Sequence, residues 1–406
     1  MHSRGRGVAI AALLGLVTAC TPPQVIAPSP TPGTAEPNAT ATTAVPVAAS
    51  PTLPLTPTAS ASPAAVVRTE LGGLLRSLTA GWTPTGETLI VSQPGGLDGT
   101  LLVAVTVDPA ESRSVSLVAF GPSVGWDVRR DGSAFAIALS TTPTSSRVAV
   151  WEPRTGAARW ATPDEPGVQH GMPVWTTDGR TIYYAALRAP EDLGFFRVGA
   201  DGGQPARVKP PEDFGGEIKG LTPDGRGLIW SRYRAGGSTD VLDLVTGKNT
   251  SLRPDTASTP AAWRSAQPRA LVITGNCCAG RRGTLVVWDD ETGASRAIYG
   301  SELTPQEAVG MADWDPEGKR IVVIVYDTTI SLDRAGPLVT MDEGGGSRAT
   351  IAGTEGAGDV RWLRAGIVYL KGTDDAGAEL WLVPPGGTPG RIFSGGYLGA
   401  WKVVSP

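Results

Sequence analysis

After its first twenty residues the chain alternates between short apolar runs and turn-rich breaks. No segment there sustains the 3.6-residue apolar period of a helix. The runs are rich in β-branched and aromatic residues, as in "TIYYAAL" from Thr181, "ALVIT" from Ala270 and "RIVVIVY" from Arg320. They are apolar at odd and even positions alike, the pattern of a strand buried on both faces. A common phrase introduces them. "WTTDGRTIYY" at 175–184 has a near-copy in "LTPDGRGLIW" at 221–230. The apolar residue closes one strand, Asp-Gly supplies the positive φ of a hairpin, and the β-formers begin the next strand.

The phrase recurs at Trp82, Trp126 and Trp314, and in weaker form at Trp263 and Trp362. With Trp175 and Leu221 this makes seven copies, at intervals of 44, 49, 46, 42, 51 and 48 residues. After the two-faced strand, each unit continues with a third strand such as "RVAVWEP" or "TLVVWDD", and a Gly-bearing turn such as "PRTGA" or "DETGA" leads to a fourth. A period of 40–50 residues with four short strands is that of a β-propeller, an all-β fold. Seven four-stranded blades are expected. The segment around Trp401 supplies an inner strand that closes the ring on the N-terminal blade, which removes exposed sheet edges. The alternative is an eighth, incomplete blade completed by residues 66–75. The repeated Trp is expected to pack between adjacent blades, since a single blade cannot bury its own faces.

The "W-x-P-D-G-R-x-I" phrase resembles the repeat of TolB-type propellers, found also in the propeller domains of prolyl oligopeptidases. The resemblance covers roughly residues 76–403. It implies a fold shared by envelope protein-binding subunits, surface proteins and regulatory domains of peptidases, so function must be argued from a site. Two departures stand out: the chain stops where a hydrolase domain would follow, and the fifth and seventh copies lack the turn Asp.

Gly (53 residues) and Pro (35) are abundant and only 18% of residues are charged, a composition of turns. The N-terminus has a different character. His2, Arg4 and Arg6 precede an apolar stretch too short for a stable transmembrane anchor, and it ends in "VTAC" at 17–20. This resembles the lipobox of bacterial lipoproteins, which implies that Cys20 is diacylated and becomes the new N-terminus. Residues 1–19 are then the signal peptide. Residues 20–66 carry eleven prolines, no aromatic residue and the single charge of Glu36, so they are expected to form a disordered tether. Its reach lies between roughly 40 Å as a coil and roughly 140 Å fully extended. Residues 67–406 form the propeller domain. Loss of Arg4 and Arg6 takes the net charge from −4 to −6, which argues against nucleic acid as a partner.

Candidate chemistry is sparse. His170 is the one histidine outside the signal segment, which excludes multi-His metal sites and two-imidazole relays. It is expected in a solvated connection near Asp164 and Glu165. No P-loop occurs. The loops after each second strand share one face with the connections between blades. They carry Glu191, Asp192, Glu212, Asp213, Asp327, Asp333, Asp374 and Asp375, interspersed with Arg188, Arg281, Arg282 and Arg334. Clustered carboxylates suit Ca²⁺, but no D-x-D-x-D-G loop is present, and no cofactor or metal is expected. Cys277 and Cys278 are adjacent in "GNCCAGRRG", and with Cys20 lipidated they can pair only with each other. A vicinal disulfide that stiffens the loop is expected, ahead of redox chemistry.

These readings converge on a monomeric, lipid-anchored, extracytoplasmic propeller of the cell envelope. It binds a protein or peptide, or a cell-wall ligand, on its loop face, and is not an enzyme. Two alternatives remain open: a propeller lyase or hydrolase built on channel-mouth carboxylates, and a structural or assembly lipoprotein of the envelope.

Overall fold

A computed structural model describes residues 71–95, 99–108, 110–189, 191–208, 216–232, 239–252, 258–263, 269–274, 283–289, 291–329, 335–372, 377–395 and 401–405. The signal segment 1–19, the tether 20–66, Cys20, Cys277 and Cys278 lie outside them. So do Glu212, Asp213, Arg281, Arg282, Asp333, Arg334, Asp374 and Asp375.

The described residues are almost wholly β. One helical turn, α1 (Leu71–Leu74), leads into β1 (Leu75–Ser77), β2 (Thr88–Pro94), β3 (Thr100–Thr106) and β4 (Arg113–Phe120). Two meanders follow: β5 (Ser123–Val128), β6 (Phe135–Thr142), β7 (Ser145–Trp151) and β8 (Ala158–Trp160), then β9 (Gln169–Trp175), β10 (Thr181–Arg188), β11 (Glu191–Gly199) and β12 (Gly202–Val208). Next come β13 (Gly216–Leu221), β14 (Gly227–Arg232), β15 (Thr239–Asp243) and β16 (Asn249–Ser251). The same order repeats in β17 (Ser258–Trp263), β18 (Arg269–Thr274), β19 (Thr284–Asp289) and β20 (Ser295–Tyr299). It repeats again in β21 (Glu307–Trp314), β22 (Arg320–Asp327), β23 (Leu338–Asp342) and β24 (Ala349–Ile351). The last meander is β25 (Ala357–Leu363), β26 (Gly366–Lys371), β27 (Ala378–Val383) and β28 (Gly390–Gly395), and β29 (Trp401–Val404) ends the series.

These strands form six hydrogen-bonded sheets, where seven separate blades, or eight, are expected from the repeats. Five are individual blades: four of four strands, and one of five in the order β1-β4-β3-β2-β29. The sixth has eight strands, because β7 and β9 share one parallel pair, Ser146 with Gln169. The cause is local. β8 covers only Ala149–Trp151, which leaves the Ser146 end of β7 open to the following meander. Among the described residues no eighth blade forms from the N-terminal segment; β1 instead extends the outer edge of the first sheet by pairing with β4. The inner edge of that sheet is taken by β29, which pairs antiparallel with β2 from Thr88↔Val404 to Val91↔Trp401.

The repeated phrase has one physical meaning. In four hairpins between first and second strands the glycine N–H reaches back three residues, to Arg129, Thr176, Thr222 and Asp315 oxygens at 2.8–2.9 Å. Gly132, Gly179, Gly225 and Gly318 hold φ of 65–71°, open to glycine without strain. In three of them the Asp carboxylate caps the turn, accepting the N–H of Ser133, Arg180 or Arg226 at 3.0 Å. The turn is therefore a four-residue loop built on a type I turn rather than a two-residue one. The first strands also carry a common irregularity: register shifts interrupt their pairing at Ser123/Trp126, Gly171/Val174, Ile218/Gly220, Pro260/Ala262, Val309/Ala312 and Ala357/Asp359. Bulges of this kind bend a strand and re-aim its side chains. Consecutive first strands lie against each other, β5 on β9, β9 on β13, β17 on β21 and β21 on β25, and β29 lies on β5. They are the inner wall of the ring.

Packing follows from the two-faced second strands. Among the described residues there are seven buried apolar clusters, each joining one meander to the next. Alternation along β2 shows how: Leu89 and Val91 face Val368 and Leu380 of the last meander, whereas Ile90 faces Phe135 and Ile137 of the second. The repeated Trp is a smaller part of this core than expected. Trp175 and Trp314 are buried, but Trp126, Trp362 and Trp401 are half-buried, and the fully enclosed indoles are Trp151, Trp230 and Trp288. Trp126 also sits two residues out of phase. Val128 pairs with Phe135 as Trp175 pairs with Ile182, across turns of the same length, so Val128 and not Trp126 closes the first strand.

Removing residues 401–406 should uncover Leu89 and Val91 and free the inner edge of β2. The expected outcome is a melting temperature lower by about ten degrees or more, with new binding of an apolar dye. An unchanged melt would show that closure by β29 contributes little.

Candidate functional site

Three places gather polar side chains: the inner wall, the buried neighbourhood of His170, and a cleft on the hairpin-turn face.

On the inner wall the carboxylates bind the next meander. Asp127, at the end of β5, accepts the Trp175 N–H of β9 at 2.9 Å, and Lys402 of β29 lies 3.3 Å from its other oxygen. Asp313 holds the same place in β21. It accepts the N–H of Trp314 at 2.9 Å and that of Trp362, in β25, at 2.8 Å. Asp359 takes the Trp401 indole N–H of β29 at 2.5 Å and pairs with Arg361 at 3.2 Å. Glu87 accepts Arg364 and Ala365 N–H groups across the closure, at 3.1 and 3.0 Å. Arginines add a second hold on the same Trp residues. Arg129 lies over Trp175, Arg320 over Trp362 and Arg361 over Trp401, at 5.9, 5.4 and 5.3 Å from the ring centres. Burial pushes the Asp313 carboxyl up to about 6, against the opposing pull of Arg361 and the two backbone N–H groups.

His170 is not in a solvated loop. It lies in β9 and is 2% exposed. Its Nδ1 is 3.0 Å from the Thr162 hydroxyl, which itself accepts the Val148 N–H at 2.9 Å. The ring meets Tyr184 edge-on at 5.2 Å, and the backbone oxygen of His170 accepts the Ser146 hydroxyl at 2.8 Å. Burial and the nearby Arg147 charge lower its pKa to about 4, so the ring is neutral. It packs and pins the junction where β7 meets β9.

Of the acidic loop residues, Glu191 and Asp192 open β11 and are exposed. Asp327 is spent on its own turn, accepting the Thr329 N–H and hydroxyl at 2.7 and 2.6 Å. Among the described residues no three His, Cys, Asp or Glu side chains converge as a metal site would require.

The cleft lies on the opposite face, among the turns that the sequence marks as uniform. It encloses about 940 Å³ between Trp82 and Pro84 ahead of β2, the turns after β5 and β9, and the β7–β8 hairpin. Arg129, Arg154, Arg159 and Arg180 line it, with Asp131, Glu152, Asp178 and Asp201. Sequence reasoning passed over it because Arg129 and Arg180 belong to the repeated turn phrase.

The two buried titrating groups act in opposite directions on stability. An unfolded histidine takes its proton near 6.5, well before His170 does, so this contribution is complete above about 6.5 and is lost as pH falls towards 4. Asp313 holds its proton to about 6 when folded but only to about 3.8 when unfolded, so its contribution grows as pH falls through that interval. Each is on the order of 3 kcal/mol in full. Relative to the unaltered chain, His170→Gln should gain stability as pH drops from 6.5 to 4.5, and Asp313→Asn should lose it. Thermal melts across that range check both signs, and parallel curves would refute them.

No protein-family model matches the chain, and no curated protein matches it. Solved structures do. A puromycin hydrolase is 16% identical with a TM-score of 0.56, over 81% of this chain and 57% of that one. A prolyl endopeptidase is 13% identical with a TM-score of 0.53, over 80% and 51%. TolB from Acinetobacter baumannii is 15% identical with a TM-score of 0.44, over 69% and 66%. The chain spans about half the length of these peptidases. What it has in common with its structural neighbours, TolB proteins among them, is the β-propeller fold.

Proposed function

We propose that this protein is a lipid-anchored envelope propeller that binds a protein or peptide partner rather than turning over a substrate. In this reading Cys20 carries the acyl chains, residues 20–66 are the tether, and the domain works outside the cytoplasmic membrane. The eight-stranded sheet counts as two blades, which gives a ring of seven closed by β29. The observation that carries binding over turnover is how the inner-wall and junction polar groups are used. Asp127, Asp313 and Glu87 accept backbone N–H groups of neighbouring meanders, Asp359 an indole N–H, and His170 faces a threonine hydroxyl. Groups committed to holding a ring together are poorly placed to exchange protons with a substrate. A rigid ring with an open cleft suits recognition instead.

Two experiments test this. Cys20→Ser should leave the protein folded and release it from membranes, since acyl chains anchor by burying methylenes at about 0.8 kcal/mol each. Retention after a high-salt wash would refute the anchor. Photo-cross-linking of the full chain in the envelope should capture a discrete protein partner, and His170→Gln should still capture it. Hydrolysis of a peptide panel by the purified chain, abolished by Asp313→Asn, would make the protein an enzyme.

A further inference from the structure

We propose that the cleft on the turn face is the docking site for an acidic peptide segment of the partner, an inference that rests on the binding reading above. The formal charges on its wall cancel, but the hydrogen-bonding capacity does not. Asp131 is occupied by the Ser133 N–H and hydroxyl at 3.0 and 2.7 Å. Asp178 is occupied by the Arg180 N–H at 3.0 Å and the Thr176 hydroxyl at 2.6 Å. Glu152 and Asp201 both bind Arg159, at 2.7 and 3.1 Å. One oxygen of each carboxylate is thus engaged within its own hairpin or by one guanidinium.

The donors are in surplus. Arg154 and Arg180 line the cleft, and neither guanidinium makes a side-chain hydrogen bond or a close ion pair among the described residues, although the Arg180 charge acts on Asp178. Arg129 is held only loosely, 3.7 Å from Asp131 and across the Trp175 ring. Two further donors on the wall, Arg159 Nε and Trp175 Nε1, are buried without an acceptor, and buried donors without acceptors are costly. Guanidiniums that lack carboxylates take them in bidentate geometry from a ligand. The size argues for a peptide over a small anion. About 940 Å³ spanning three consecutive meanders, with Trp82 and Pro84 as an apolar wall, accommodates several extended residues and an apolar side chain.

The test uses the full chain and two labelled short peptides. One is rich in Asp and Glu with a single Phe and Pro, and the other has Lys in place of each acid. Fluorescence anisotropy should show binding of the acidic peptide alone, weakening as salt is raised. Arg154→Ala combined with Arg180→Ala should weaken it about tenfold or more with an unchanged melting curve. Arg207→Ala, exposed in β12 and outside the cleft, should bind as the unaltered chain does. Equal affinity for the two peptides, or full affinity in the double variant, would overturn the site. So would inorganic polyphosphate displacing the peptide at equal charge, which would mean a general anion trap. Envelope capture separates this proposal from the one beneath it. A double variant that still captures the partner removes the cleft and leaves binding intact, whereas an unaltered chain that captures nothing removes binding itself.

Discussion

A sheet that is apolar on both faces has to be covered on both, and each meander of this chain is such a sheet. Stacking meanders in a row covers every face but the two at the ends. A ring covers them all, at the cost of joining segments from opposite ends of the sequence. The polar links make the same demand. The inner-wall carboxylates each reach into the following meander, Asp127 to Trp175, Asp313 to Trp362 and Asp359 to Trp401. Their geometry is satisfied only if neighbours are correctly angled. Apolar burial supplies most of the favourable free energy, and the carboxylate links set direction.

This division of labour bears on function. A buried carboxylate in a channel invites a catalytic reading, the more so when its pKa is raised as that of Asp313 is. Structural networks shift pKa values by the same physics, however, and here the oxygens are already engaged by main-chain donors. The same reasoning applies to His170. Its depressed pKa reports burial beside Arg147 and not a poised base.

Much of the fold was legible because the repeat is written in turn chemistry. Gly132, Gly179, Gly225 and Gly318 need positive φ, and each is followed by a two-faced run, so strand order and period could be read directly. Phase was harder. Trp126 looks equivalent to Trp175, yet Val128 holds that place, because residue identity is a weaker marker than distance to the turn glycine. Measured from that glycine, Asp127 and Asp313 stand at the same interval, a signal for the inner-wall links that the Trp alignment concealed. Nothing in one meander predicts that β8 is too short to cover β7, which is what fuses two blades into one sheet and buries His170 at their junction. The cleft was hidden for another reason. Its arginines are unremarkable one at a time, and only the three-meander arrangement brings them together on one wall.

The pairing of β29 with β2 has a consequence in time. Synthesis proceeds from one end, so β2 exists long before its inner neighbour does, and until then it presents an open edge and the bare faces of Leu89 and Val91. Contacts this distant in sequence slow folding and prolong exposure of strands able to pair with the wrong chain. The first blade to emerge is therefore the last to be finished, and the protein's vulnerable interval is the whole of its own synthesis.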